Sequence, residues 1–146
     1  MPTEIRGSSN FDSDSAGKVL QQYVERDYTS ISSAAGDHLL KTLTINKLST
    51  TSTIQIVANV STLAEHAGSK QWYFYKGGVN IGETRYKTTG NGSWRMNTPP
   101  VVGTFTGTAG SHTVSFKCLH TVHLYYNYLT AYGNGVTSYV ITEVEA

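Results

Sequence analysis

Apolar and polar residues alternate along most of this chain. In Ile54-Gln55-Ile56-Val57-Ala58-Asn59-Val60 the even positions are apolar, a period of two that places them on one face of a β-strand, directed inward. Trp72 and Phe74 repeat the pattern between Gln71, Tyr73 and Tyr75. Val114, Phe116 and Cys118 oppose Thr113, Ser115 and Lys117, and near the end Val140, Thr142 and Val144 alternate with Tyr139, Ile141 and Glu143.

Runs of this kind predict eight strands: Lys18–Tyr28, His38–Ser49, Thr53–Leu63, Gln71–Lys76, Val79–Lys87, Ser93–Phe105, His112–His123 and Ser138–Ala146. Turn chemistry separates them. Lys76-Gly77-Gly78-Val79 is a two-glycine hairpin, because glycine tolerates the positive φ of primed turns. Gly90-Asn91-Gly92, Gly107 to Gly110 and Gly133-Asn134-Gly135 mark further turns, and Pro99-Pro100 must interrupt or edge its strand. Leu63–Ser69, with Ala64-Glu65-His66-Ala67, is expected to be a loop with one helical turn. Strands joined only by turns predict an all-β sandwich or barrel. Residues 17–146 form that domain, and residues 1–16 a polar, Ser/Asp-rich arm with too few apolar side chains to offset its ordering entropy. The arm is expected to be disordered or held by a neighbouring subunit, with Ile5, Arg6 and Phe11 as its contact residues.

Composition narrows the functional classes. At 146 residues the chain fits one domain, and only 14% of its residues are charged, against about 25% in an average protein. Its 15 serines and 20 threonines suit strand faces covered by hydroxyls instead of charge. The net charge is +1 with scattered basic residues, which argues against nucleic acid and against an anionic membrane as partner. No apolar leader segment or membrane-spanning run is present, so a soluble protein is expected. The single cysteine, Cys118, lies in an alternating run and reads as a small buried hydrophobe.

Candidate chemistry is sparse. Glu143 and Glu145 share a strand face but read as a solvated edge. His120 and His123 form the one close histidine pair, and on a continuous strand they point to opposite faces, so no metal site is expected. There is no Gly-x-Ser-x-Gly elbow, phosphate loop or dinucleotide fingerprint. The sequence predicts neither catalytic residues nor a cofactor.

The segment His123 to Tyr132 is different, since it carries four of the ten tyrosines. On a strand Tyr126, Tyr128 and Tyr132 share one face, and Tyr125 and Asn127 the other. Tyrosine suits wet interfaces, because its ring buries apolar area while its hydroxyl finds a partner. Two readings follow: a strand packed between the core and a neighbouring subunit, or a sugar-stacking platform with Tyr73, Tyr75, Trp94 and Asn91.

The motifs also carry a resemblance. Gly17-Lys18-Val19-Leu20-Gln21, then Ser52-Thr53-Ile54-Gln55-Ile56-Val57-Ala58-Asn59-Val60, Lys76-Gly77-Gly78 with Gly82, Gly110-Ser111-His112-Thr113-Val114-Ser115-Phe116-Lys117 and Ser138 to Ala146 together resemble a family of small all-β modules of tailed bacteriophages. Members begin GKVLQ, contain a TSxSKI-like strand and close on SxIxxMEI. Here Ile141-Thr142-Glu143-Val144 replaces the Met-Glu close, and the tyrosine-rich stretch is an addition. The resemblance implies an antiparallel, eight-stranded, jelly-roll-like β-sandwich, exposed on the virion, trimeric and without defined catalytic residues. It implies a capsid decoration, cement or head-fibre protein, assembled in the bacterial host cytoplasm and bound to itself and to other virion proteins. The alternative is a tail-fibre tip binding a host surface glycan or receptor.

Overall fold

Eleven antiparallel strands, and no helix, make up the described residues, which in this computed structural model are 17–63, 68–88, 100–127 and 135–146. In chain order they are β1 (Val19–Asp27), β2 (Ile31–Ser33), β3 (Gly36–Lys47), β4 (Thr53–Asn59), β5 (Thr62–Leu63), β6 (Gly68–Lys76), β7 (Val79–Thr88), β8 (Val101–Phe105), β9 (Gly110–His120), β10 (Leu124–Tyr126) and β11 (Thr137–Val144). All eight expected runs contain a strand. The three additional ones, β2, β5 and β10, are two- or three-residue pieces too short to show a period. The interior of the expected Leu63–Ser69 loop, residues 64–67, lies outside the described residues; β6 already begins at Gly68.

Two four-stranded sheets form the body, in the orders β1-β11-β4-β8 and β3-β9-β6-β7. Numbering the eight long strands one to eight along the chain, the orders become 1-8-3-6 and 2-7-4-5. Every connection but the β6–β7 hairpin therefore crosses from one sheet to the other, the wrapping of a jelly-roll-like sandwich. The hairpin has the expected turn, with Gly77 at φ 55° and Gly78 at φ 87°.

The third sheet, β2-β10-β5, sets the polarity of the molecule. Its strands come from three different crossovers, β1 to β3, β4 to β6 and β9 to β11, and close one end of the sandwich, here called the crossover end. The strand termini flanking residues 89–99 and 128–134 lie at that same end, since Gly68 pairs with Thr88 and Ala58 with Val101. At the opposite end the connections are short turns.

Inward-facing residues of both sheets build one core. Ile54, Ile56 and Ala58, Trp72 and Phe74, and Val114, Phe116 and Cys118 are all fully buried, as their alternation predicts. On β11 the odd positions face inward, so Tyr139 and Ile141 enter the core. Phe74 and Phe116 stack tilted at 4.8 Å within one sheet, and Phe116 meets Tyr139 of the other edge-on at 5.4 Å. Each large apolar side chain buried here contributes about 1.5–3 kcal/mol. A bulge between Leu39 and Lys41 shifts the parity of β3, so that Leu40, Leu43 and Ile45 all point inward.

The two open sides of the sandwich close differently. Along one, Lys41 on β3 pairs with Glu25 on β1 at 3.0 Å, and Gln21 Nε2 donates to the Asn46 carbonyl at 2.7 Å. Along the other, β7 lies directly on β8. A Cβ on Gly82 would stand 1.9 Å from the Val102 carbonyl oxygen and 2.6 Å from Gly103 Cα. Only glycine permits that approach.

Candidate functional site

Three regions hold the polar side chains that could do chemistry: the crossover end, the turn end and the outer face of β3-β9-β6-β7. At the crossover end the strand β10 stops at Tyr126, because Asn127 takes the left-handed backbone conformation, φ 53°. Of the expected common face of Tyr126, Tyr128 and Tyr132, only Tyr126 lies within the described residues. Tyr126 is fully buried; its hydroxyl donates to Asp27 Oδ2 at 2.8 Å and accepts from the Tyr139 hydroxyl at 2.7 Å. Asn127 is equally buried, donating from Nδ2 to the carbonyls of Asp27 and Thr29 while Oδ1 accepts from the Thr137 hydroxyl. The Asn127 amide donates to the Ser61 carbonyl, and the Gly135 amide to the Asn127 carbonyl. Burial pushes both tyrosine hydroxyls well above the usual phenol range.

This network corrects the sequence reading of Tyr126 and Asn127. Neither presents a surface to a sugar or a neighbouring subunit, for their polar atoms are spent tying β1, β10 and β11 together. Tyr125 points the other way, half-buried, with its ring 4.6 Å from that of His123. Asn91, Trp94, Tyr128 and Tyr132, and the arm residues Ile5, Arg6 and Phe11, lie outside the described residues.

At the turn end Glu143 is buried, not solvated. Its carboxylate accepts from the amides of Leu48 and Ser49 at 2.9 Å, from the Ser52 hydroxyl and from Gln21 Nε2 at 2.6 Å. Burial alone would raise this carboxyl, but those four donors outweigh it and hold it below the usual glutamate range. Glu143 thus staples the 48–52 turn. Glu145, which shares its face in sequence, accepts from the Ser49 and Thr51 hydroxyls.

The outer face of β3-β9-β6-β7 carries the exposed aromatic chemistry. Tyr73 donates to the Asp37 carboxylate at 2.8 Å, and Lys117 pairs with Asp37 at 2.9 Å. The Lys117 ammonium stands 5.6 Å from the centroids of both Tyr73 and Tyr75, whose rings meet edge-on. Burial would raise Asp37, yet the bonds from Lys117 and Tyr73 hold it below the usual aspartate range. The sequence pointed to Tyr73 and Tyr75 through their outward alternation. It gave no sign of Asp37 or Lys117, which are 80 positions apart and meet only through the β3–β9 and β9–β6 pairings.

Beside this cluster, toward the crossover end, the same face opens into a groove of about 440 Å³ lined by Ser69, Lys70, Gln71, Arg85, Lys87, Leu119 and Thr121. Lys70, Trp72 and His120 hold three buried side-chain nitrogens without a hydrogen-bond partner, and Lys70 and His120 are cross-strand neighbours. His120 Nδ1 contacts the Val122 carbonyl, and its ring lies 5.0 Å from that of His38. Between His120 and His123 the chain leaves β9 and turns, so the two are not on one continuous strand. Among the described residues no group of three His, Cys, Asp or Glu could hold a metal. Burial pushes the Cys118 thiol up to about 12, which removes it from thiolate chemistry at neutral pH.

Neither a family model nor a curated protein matches this chain.

Proposed function

We propose that this chain is an exposed virion protein of a tailed bacteriophage, a homotrimeric decoration protein that clamps the capsid shell. The observation that carries the reading is the polarity of the sandwich. The Gly17 amide donates to the Glu145 carbonyl at the turn end, so residues 1–16 join the domain there. The crossovers and the strand termini flanking 89–99 and 128–134 gather at the opposite end. An attachment point for residues 1–16 at one end, and the crossovers at the other, suit a protein rooted in a shell and displayed from it. The similarity of the sequence motifs to phage surface modules supports the same reading. So does the way Glu143, Asp27, Tyr126 and Asn127 are used to hold the fold, which favours a binding role over a catalytic one.

A virion reconstruction tests it, with density for this chain expected in three-fold clusters on the head, and sedimentation equilibrium expected to give a trimer. Deleting residues 1–16 is expected to abolish capsid binding while leaving the melting transition of the sandwich in place. Density on the tail, or a stable monomer at micromolar concentration, overturns the proposal. The half-buried Tyr73 and the exposed Tyr75 around Lys117 favour a second reading, a tail-fibre tip for a host surface glycan. Density at the tail would select that one.

A further inference from the structure

We infer that the groove on the outer face of β3-β9-β6-β7 binds the acidic end of a glycan, a sugar bearing a carboxylate. Register places its wall residues in rows across three strands: Gln71 stands opposite both Leu119 and Arg85, and Ser69 opposite Lys87. Three cations line it, Arg85 and Lys87 at its exposed wall and the buried Lys70, and among the described residues no carboxylate does. The nearby acids are already engaged. Asp37 is held by Lys117 and Tyr73, while Glu83 accepts from Gln71 and Asn80 and holds Arg85 through Nε at 2.8 Å.

That last contact matters most. Fixing a guanidinium by Nε orients the side chain and leaves its two terminal amino groups as a fork, the geometry that meets a carboxylate in parallel hydrogen bonds. Lys87 adds a second positive charge to the same wall. Leu119, 46% exposed although it lies on a central strand, offers an apolar floor for the C–H face of a sugar ring. Around it the Ser69 and Thr121 hydroxyls, 3.4 Å apart, and the Gln71 amide supply partners for ring hydroxyls. The volume falls within the range of small-ligand sites, roughly 300–1,000 Å³. A charged fork, an apolar floor and several neutral hydroxyl partners in one groove fit an acidic sugar better than a bare anion, which needs no floor, or a neutral sugar, which needs no fork.

The inference goes beyond the capsid reading and does not depend on it: binding is measured on the isolated protein, location on the virion, and each can fail alone. The probes are an oligogalacturonate, a neutral galactose oligomer of equal length, and a glutamate peptide of equal charge, titrated by calorimetry and followed by amide NMR. The oligogalacturonate is expected to bind saturably and to shift the amides of Gln71, Leu119 and Thr121, with the neutral oligomer and the peptide at least tenfold weaker. Arg85→Gln is expected to weaken binding about tenfold or more and Lys87→Gln about threefold, the scale of a lost charge-assisted contact, while Lys18→Gln, at the turn end, leaves it unchanged. Both groove residues are exposed, and unchanged melting curves confirm the fold of the variants. An absence of saturable oligogalacturonate binding, equal binding by Arg85→Gln, or an equal response to the glutamate peptide overturns the inference.

Discussion

The hydroxyl of Tyr126 donates to Asp27 Oδ2 across 2.8 Å, joining residues 99 positions apart at the closed end of the sandwich. Because its one hydrogen is committed to Asp27, the Tyr139 hydroxyl must be the donor in the 2.7 Å contact between the two tyrosines. Tyr126→Phe removes both bonds and leaves buried Asp27 Oδ2 short of a donor and Tyr139 short of an acceptor. The expected cost is about 1–3 kcal/mol of stability by denaturant titration. The proposed sugar binding should be unchanged, since Tyr126 is fully buried and does not line the groove.

Gly82 is the second point of vulnerability. An alanine methyl there would overlap the backbone of Val102, which cannot rotate away as a side chain can. Gly82→Ala should therefore destabilise by at least about 1–3 kcal/mol, or separate β7 from β8. Gly103→Ala meets the Phe74 ring at 2.7 Å instead, and should cost less because a ring can shift. Equal melting temperatures for the two variants would contradict this account of the edge.

Glu143 ties stability to pH. Folding holds its carboxyl below the ordinary glutamate range, so as pH falls the unfolded chain takes up the proton first. The stabilisation is complete above that ordinary range and is lost as pH drops through the lower, folded value. Glu143→Gln places an amide donor against four donors, with an expected loss of about 2–3 kcal/mol at neutral pH. The variant should also show a flatter acid limb in melting temperature against pH. A parallel acid limb in both proteins would assign the dependence to other groups.

Replacing Lys70 is expected to stabilise the fold instead. Its ammonium is buried without a hydrogen-bond partner, and burial lowers its affinity for a proton below that of an exposed lysine. Methionine has similar length and no charge to desolvate. Lys70→Met is expected to raise stability by about 1 kcal/mol, seen as a melting temperature roughly 2–4 °C higher. A drop would mean that the ammonium has a partner in solution.

How far the sequence could be read depended on whether a feature repeats locally. The period of two in 54–60, 71–75 and 113–118 named the inward faces because a strand's geometry puts alternate side chains on opposite sides. The glycine pair at 77–78 named its turn for an equally local reason. Local pattern did not reveal where one residue breaks the period: Asn127, with positive φ, follows the last residue of β10, and the bulge at Leu40 shifts the parity of β3. Glu143 looked solvated because its four donors come from residues 91 to 122 positions away.

The sequence by itself thus determined an all-β chain, its long strands and the inward faces of three of them, since alternation and turn residues act over a few positions. Only the tertiary structure decided the order of strands in the sheets, the plug of Asp27, Tyr126 and Asn127, and the groove beside Arg85 and Leu119. Those depend on which strands become neighbours, and strand pairing between distant segments is settled by packing across the whole sandwich, not by the residues next in line.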